Sequence, residues 1–240
     1  MSDVDFRISP TRIRSKGECD RAWYFSEVAG LRDKKHQKAK SAGTAIHRDA
    51  ELYLTRRIPR PRTPEIVWLR RLGLLPARQT SRTREDRLRC ELEIREFGVE
   101  LAGQVLDGQI DIVDPRDGTL EVIDLKTRSR LDYCPDPEEL REDEQAIIYP
   151  RAALEMVPGE FDEVSFTHLN VVREDAGGPD AKIVTVHWKA EEVKAEFQKL
   201  GHRVISMLNV AKRPIEYVDK DTDYCYKYGK CPFKGLCDHL

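Results

Sequence analysis

The 240-residue sequence lacks long apolar runs, and its mean hydropathy is -0.60. A helix that spans a membrane needs about 20 predominantly apolar residues, so we expect no membrane span. The N-terminal segment Met-Ser-Asp-Val-Asp-Phe-Arg has acids where a signal peptide has basic and then apolar residues, which predicts a cytoplasmic protein. The Gly-x-x-x-x-Gly-Lys-Ser/Thr motif of P-loop nucleotide motors is also missing, which excludes that class.

Charge is unevenly distributed along the chain. Residues 1–89 contain 22 basic and 11 acidic residues, whereas residues 90–240 contain 19 basic and 32 acidic residues. Within residues 56–89 there are eleven arginines and three acids. Because arginine forks match phosphate oxygens, this segment predicts an arm that binds a polyanion, with Arg82, Arg84 and Arg87 as candidate contacts. A solvated face that offsets the acidic half is the alternative.

Periodicity divides the sequence into helices and strands. Alternation of period two, typical of strands, predicts strands at 88–97, 99–105, 109–113, 120–125, 164–172 and 183–188. Apolar spacing and N-terminal capping residues predict helices at 10–16, 19–28, 39–57, 65–72, 138–157 and 190–210. The turn residues from Asp114 to Gly118 predict a hairpin between the third and fourth strands. The result is an α/β fold.

Two acids and a lysine lie on this hairpin. Asp111 ends the segment Gly108-Gln109-Ile110-Asp111, and Asp124 and Lys126 follow on the next strand, where residues two apart share one face. With a turn centred near Arg116 and Asp117, Asp111 is expected opposite Val122 and diagonal to Asp124.

These side chains predict chemistry as well as structure. Carboxylate oxygens are the ligands that Mg²⁺ prefers, and a lysine beside them can stabilise a developing anion or orient a water molecule. A surface hairpin with solvated Asp and Lys is the simpler alternative. However, Asp124 lies in the apolar run Val122-Ile123-Asp124-Leu125, where burial of a carboxylate is costly without a partner or a metal. The pattern therefore favours a metal site suited to phosphodiester hydrolysis.

At this point the chain resembles the PD-(D/E)XK nuclease superfamily, in which a β-hairpin carries Asp, a spacer, and then Asp or Glu-x-Lys. Asp107 is a second candidate for the first acid, but Asp111 matches the order and the spacing better. The resemblance implies a restriction-endonuclease-like core with a central mixed sheet flanked by helices. It also implies that His47, Asp111, Asp124 and the Leu125 carbonyl hold Mg²⁺ or Mn²⁺, while Lys126 positions the attacking water.

Two helical motifs resemble the RecB-like branch of this superfamily. Gly43-Thr44-Ala45-Ile46-His47 resembles its Gly-x-x-x-His motif, whose imidazole joins the metal shell. Gln145 and Tyr149 share one helix face and resemble its Gln-x-x-x-Tyr motif, which contacts DNA and supports the catalytic lysine. Taken alone, a helical histidine is more often a surface or core residue, and the Gln-x-x-x-Tyr spacing is weak.

The cysteines resemble those of iron-sulfur nucleases: CRISPR-associated RecB-like exonucleases, AddB-type nuclease domains and phage relatives. In these proteins a 4Fe-4S cluster joins the two chain ends, which here implies the ligands Cys19, Cys225, Cys231 and Cys237. Tyr228 stands where the usual third-last ligand would be, so Cys134 is an alternative to Cys225. Zinc is an alternative to the cluster, because four thiolates serve both.

The resemblance extends from Cys19 to Cys237 and implies a single nuclease domain over residues 1–240. Its expected parts are a helical, Arg-rich segment at 1–88, a nuclease core at 89–210 and a C-terminal iron-sulfur module at 211–240 that packs with Cys19. The implied function is exonucleolytic cleavage of single-stranded DNA or DNA ends. Two alternatives remain: a DNA-binding adaptor that works with CRISPR adaptation or recombination proteins, and a zinc-stapled nucleic-acid-binding module.

Overall fold

The computed structural model describes residues 8–16, 19–31, 37–76, 95–116, 118–178, 180–227 and 231–240. The chain divides into two compact units. The first unit comprises Met1–His36, Gly98–Gly108 and Phe197–Leu240, and the second comprises Gln37–Phe97 and Gln109–Glu196. Arg82, Arg84 and Arg87, together with most of the strand predicted at 88–97, lie outside the described residues.

The helices follow the chain in this order: α1 Pro10–Lys16, α2 Asp20–Trp23 with a π-helical continuation Tyr24–Val28, α3 Gln37–Leu54, α4 Pro64–Arg71, α5 Pro137–Arg141, α6 Glu144–Met156, α7 Ala190–Lys199, α8 Gly201–Ala211, α9 Tyr224–Lys227 and α10 Lys234–Cys237. In the described part of the chain, no helix combines the length and the apolarity that crossing a membrane requires.

The strands form two sheets. They are β1 Arg95–Leu101, β2 Gln104–Ile110, β3 Ile112–Arg116, β4 Thr119–Arg128, β5 Glu163–Val172 and β6 Ala181–Lys189. β1 and β2 form a two-stranded sheet, and the others form a mixed sheet in the order β3-β4-β5-β6. β4 is parallel to β5, whereas β3 is antiparallel to β4 and β6 is antiparallel to β5.

Three predicted elements are interrupted. The helix predicted at 138–157 is two helices, because the side chains of Asp136 and Asp143 cap the N-termini of α5 and α6 separately. The helix predicted at 190–210 breaks at Leu200. The strand predicted at 99–105 turns back at Ala102 and Gly103, whose φ angles of 52° and 72° are typical of a tight hairpin turn.

The register of the β3-β4 hairpin also differs from the prediction. Arg116 pairs with Thr119, so the centre of the hairpin lies one residue later than expected. Ile112 consequently pairs with Ile123, and extending this register by one residue sets Asp111 opposite Asp124. The prediction that Asp111 lies opposite Val122 is therefore wrong, and the two acids are closer in register than the sequence suggested.

The first unit is held together by contacts between distant parts of the sequence. Ile8 bridges Leu106 in parallel, and Asp107 N donates a hydrogen bond of 2.8 Å to Ile8 O. Helix α1 and the π-helical turn pack against α8. The buried guanidinium of Arg21 donates through Nε and Nη2 to Val218 O, at 2.9 and 2.7 Å.

In the second unit, the mixed sheet has helices on both faces. Alternation along β4 places Ile123 and Leu125 on the face that packs against α3 and α4. Asp124 and Lys126 lie on the opposite face, toward α6. This division, which agrees with a restriction-endonuclease-like core, provides one apolar face for stability and one face that bears polar side chains.

Candidate active site

Asp111 lies in the bend between β2 and β3, at the edge of the mixed sheet. Its Oδ2 accepts a hydrogen bond of 2.9 Å from Leu125 N, so the carboxylate takes a main-chain donor of the neighbouring strand. Its Oδ1 lies 3.1 Å from His47 Nδ1. Because Ile46 and Ala50 bury the apolar side of α3 against the sheet, half-buried His47 is left at the edge where Asp111 lies.

Asp124 and Lys126 project from the same face of β4. The Asp124 carboxylate is buried, and its Oδ2 lies 2.7 Å from Lys126 Nζ. Lys126 Nζ also donates a hydrogen bond of 2.7 Å to Gln145 Oε1, and Gln145 Nε2 donates to Tyr149 Oη at 3.1 Å. The structure therefore links both hairpin residues to the Gln-x-x-x-Tyr motif of α6.

Burial perturbs the titration of these groups. Desolvation raises the pKa of Asp124 to about 6, although the positive charge of Lys126 opposes this shift. Desolvation also lowers the pKa of His47, but the hydrogen bond and charge of Asp111 outweigh it, so that the pKa is raised. Burial raises the pKa of Tyr149, and the charges of Asp124 and Asp111 add to the effect. The cluster is thus a partly desolvated group of interacting charges.

The donor set fits a hard divalent cation. The buried Asp124 Oδ2 pairs with Lys126 Nζ at 2.7 Å, and a divalent cation would compensate the buried carboxylate further. The carboxylate of Asp111, whose charge acts on Asp124 and whose Oδ2 accepts from Leu125 N, supplies further oxygen atoms. In the described part of the chain, no three His, Cys, Asp or Glu side chains already surround one point as metal ligands.

Three residues of this face were not identified from the sequence. His168 pairs in register with Asp124, and its Nε2 lies 3.6 Å from Asp124 Oδ2. Asn170 pairs with Lys126, and its Oδ1 accepts a hydrogen bond of 3.0 Å from Arg128 Nε. The available signal was the pair of polar residues two apart among the apolar residues Phe166, Leu169, Val171 and Val172 of β5.

Four of the cysteines lie in the first unit. Asp221 connects two of them, since its N donates to Cys19 Sγ at 3.5 Å and its O accepts from Cys225 Sγ at 3.6 Å. Burial, and then the charges of Cys231, Cys19 and Cys237, raise the pKa of Cys225. Cys19 and Cys231 line one cavity of about 130 Å³. Cys134 is buried in the second unit.

The structure thus brings together His47, Asp111, Asp124, Lys126, Gln145 and Tyr149 in the second unit. Asp107, the other candidate for the first acid, belongs to the first unit. The arginines proposed for the arm lie outside the described residues.

Two solved structures superpose on nearly the whole of this chain. A "putative exonuclease" from Eubacterium rectale superposes with a TM-score of 0.50 at 12% sequence identity, covering 97% of this chain and 87% of that chain. The structure named SSO0001 has a TM-score of 0.45 at 13% identity, covering 99% of this chain and 88% of that one. No curated protein sequence matches the chain significantly.

The sequence profile of the PD-(D/E)XK nuclease superfamily matches residues 7–238, which is nearly the whole chain. The matched range includes the hairpin acids, the lysine and both helical motifs. Since nucleases of this superfamily use divalent metal ions and act on DNA, the profile and the oxygen-rich cluster indicate the same class of chemistry. The chain belongs to the PD-(D/E)XK nuclease superfamily.

Proposed function

We propose that the protein is a Mg²⁺- or Mn²⁺-dependent DNA exonuclease that acts on single strands or DNA ends. The observation that supports this most strongly is the cluster in which Asp111 reaches Leu125 N while Asp124 and Lys126 pair on the adjacent strand. This arrangement places two carboxylates and one ammonium group on a single hairpin, which suits hydrolysis of a phosphodiester.

In this proposal His47, Asp111, Asp124 and the Leu125 carbonyl hold the cation. A cation bound there would offset the charge of the scissile phosphate and would lower the pKa of a water molecule, which supplies a nucleophile at neutral pH. Asp111 lies at the edge of the sheet, and the hydrogen bond that it accepts from Leu125 N fixes its carboxylate relative to β4. His47 in turn fixes the other oxygen of Asp111.

Lys126 orients the attacking water and stabilises the negative charge that develops on the phosphate. Its ammonium group is half-buried and is held from two sides, by Asp124 Oδ2 and Gln145 Oε1, each at 2.7 Å. Such fixed positioning reduces the reorganisation that the reaction requires. Gln145 Oε1 accepts the hydrogen bond that ties α6 to Lys126, and Tyr149 Oη accepts a hydrogen bond from the Gln145 amide. In this proposal both residues also steady the DNA strand.

The preference for single strands or ends rests on likeness to exonucleases. The sequence motifs resemble RecB-like exonucleases, and the structural neighbour from Eubacterium rectale is described as a putative exonuclease. We further propose that Arg82, Arg84 and Arg87 bind the DNA backbone, since the segment around them is rich in arginine and poor in acids.

We also propose that Cys19, Cys225, Cys231 and Cys237 hold a 4Fe-4S cluster that stabilises the fold. Their support is the common location in the first unit, the contacts of Cys19 and Cys225 with Asp221, and the effect of the other three thiols on the pKa of Cys225. The short helices α9 and α10 bury few side chains, so thiolate bonds would supply the stability that burial does not. The chain then works as one nuclease domain with the parts 1–88, 89–210 and 211–240.

A single assay tests the proposed activity. Single-stranded and double-stranded oligonucleotides labelled at either end are incubated with the purified protein and Mg²⁺, Mn²⁺ or EDTA. We expect metal-dependent release of short products that begins at an end. Products of internal cleavage would overturn the exonuclease assignment, and no cleavage in either metal would overturn the nuclease activity.

A further inference from the structure

Arg128 is the last residue of β4 and lies on the same face as Asp124 and Lys126. Residues two apart on a strand are separated by about 6.6 Å. This distance is comparable to the spacing between neighbouring phosphates along one nucleic-acid strand. If the scissile phosphate lies at Lys126, a cation at position 128 therefore faces the neighbouring phosphate of the same strand.

The guanidinium of Arg128 is held by a buried amide. Its Nε donates a hydrogen bond of 3.0 Å to Oδ1 of Asn170, a residue that is 0% exposed. The amide nitrogen of Asn170 donates to His168 O at 3.3 Å and to Lys182 O at 3.1 Å. Because Asn170 is fixed on both sides, it fixes the orientation of the arginine fork.

Neighbouring arginines of the second unit are paired differently. Arg116 pairs with Asp114 and Glu121, Arg130 pairs with Asp132, and Arg173 pairs with Asp175. Among the described residues, no carboxylate pairs with Arg128, and the one hydrogen-bond partner of its guanidinium there is the neutral Asn170. Its charge is therefore oriented but not compensated by an acid in this part of the chain.

We propose that Arg128, held by Asn170, binds the backbone phosphate next to the scissile phosphate. This inference rests on the proposed active site at Asp124 and Lys126. An arginine fork binds two phosphate oxygens at once, and the register across β5 and β6 places Lys182 on the same face as a second cation. The site takes a phosphodiester and not a base, so it does not distinguish sequences.

The first test measures equilibrium binding of a labelled single-stranded oligonucleotide in EDTA, where no cleavage occurs. Arg128→Gln is compared with Arg128→Lys and with the control Arg116→Gln, which removes the same charge at the other end of the hairpin. We expect Arg128→Gln to weaken binding about tenfold and to reduce the salt slope by about 0.7, the value for one phosphate on single strands. Arg128→Lys should retain the slope but weaken binding, and Arg116→Gln should change neither.

The second test locates the phosphate by modifying the oligonucleotide. A neutral methylphosphonate is placed at one linkage at a time along the oligonucleotide. A methylphosphonate at the linkage next to the cleaved one should weaken binding of the oligonucleotide to the wild-type protein. The same linkage should have no effect on Arg128→Gln, because that variant no longer makes the interaction.

An unchanged salt slope in Arg128→Gln, or the absence of any linkage whose effect depends on Arg128, would overturn the inference. These measurements are independent of cleavage. If the wild-type protein cleaves DNA but Arg128→Gln has an unchanged salt slope, the inference alone fails. If one linkage has a methylphosphonate effect that depends on Arg128 but no metal supports cleavage, the proposed function alone fails.

Discussion

Gly43 of helix α3 lies directly against Thr127 of strand β4: a Cβ atom added at Gly43 would be 3.0 Å from Thr127 Oγ1. The helix therefore approaches the strand so closely that a side chain at position 43 would require Thr127 to shift by a few tenths of an ångström. His47 follows one turn later on the same helix, where it contacts Asp111. The glycine of the Gly-x-x-x-His motif thus sets the distance between the histidine and the hairpin.

Substitution of Gly43 tests this relationship. Gly43→Val should displace α3, lower the free energy of unfolding by about 1 to 3 kcal/mol through overpacking, and weaken Mn²⁺ binding because His47 moves. Thermal unfolding and titration calorimetry measure the two effects. Adding Thr127→Ala removes the hydroxyl that the new side chain meets and should restore part of the Mn²⁺ affinity. Full Mn²⁺ affinity in Gly43→Val alone would show that Gly43 does not set the position of His47.

Lys126→Ala should reduce cleavage at least about 100-fold while DNA affinity remains within a few fold, because the ammonium group acts on the transition state more than on binding. Cleavage rates with Mg²⁺ and DNA binding in EDTA provide the comparison. Lys194→Ala, on the exposed side of α7, is the matched control. A Lys126→Ala protein that cuts like its parent would show that the active site lies elsewhere.

Asp111→Asn should weaken Mn²⁺ binding more than about tenfold and abolish cleavage, since an amide retains the shape of the side chain but not its charge. Asp107→Asn is the matched control, because Asp107 belongs to the first unit and is the alternative first acid in the sequence. Calorimetric titration of both variants decides between them. Loss of Mn²⁺ affinity in Asp107→Asn, with full affinity in Asp111→Asn, would transfer the role to Asp107.

Protein purified without oxygen should be brown. Cys19→Ser, Cys225→Ser, Cys231→Ser and Cys237→Ser should each lose the visible absorbance and make residues 211–240 sensitive to protease, because a cluster that lacks one thiolate is easily lost. Cys134→Ser should keep its colour. A colourless parent that contains zinc would instead support the four-thiolate zinc site, and bleaching of Cys134→Ser but not Cys225→Ser would exchange those two ligands.

Charge reversal of Arg82, Arg84 and Arg87 to glutamate should weaken DNA binding on unrelated sequences alike. The salt slope on single strands should fall by about 0.7 for each phosphate that the variant no longer binds. Fluorescence anisotropy over a range of salt concentrations measures both quantities. An unchanged salt slope of DNA binding after reversal of the three arginines would show that the segment is a solvated face.

The proximity of the hairpin acids and Lys126 was predictable because they lie close together in the sequence, within 16 residues from Asp111 to Lys126. Their register was not predicted correctly, although the dipeptide Asp117-Gly118 is a known signal for a two-residue turn. The break between α5 and α6 had a similar local signal, since Asp136 and Asp143 are both strong N-cap residues.

The location of His168, Asn170 and Arg128 beside Asp124 and Lys126 was not predictable in the same way. It depends on which residues of β4 and β5 are paired, and the register of a parallel pair is set by burial across the whole sheet rather than by a connecting turn. Only after Lys126 is known to pair with Asn170 does the buried amide indicate a partner for Arg128.

The parallel pairing of β4 and β5 also affects how the site forms during folding. Parallel strands need a crossover, and here that connection contains α5 and α6. Asp124, Lys126, Gln145 and His168 thus come from a single β-α-β segment, so its docking assembles most of the cluster in one step. Local opening of this segment would disperse the lysine, its glutamine and the buried acid together, which makes the integrity of the cluster a cooperative property of one supersecondary unit.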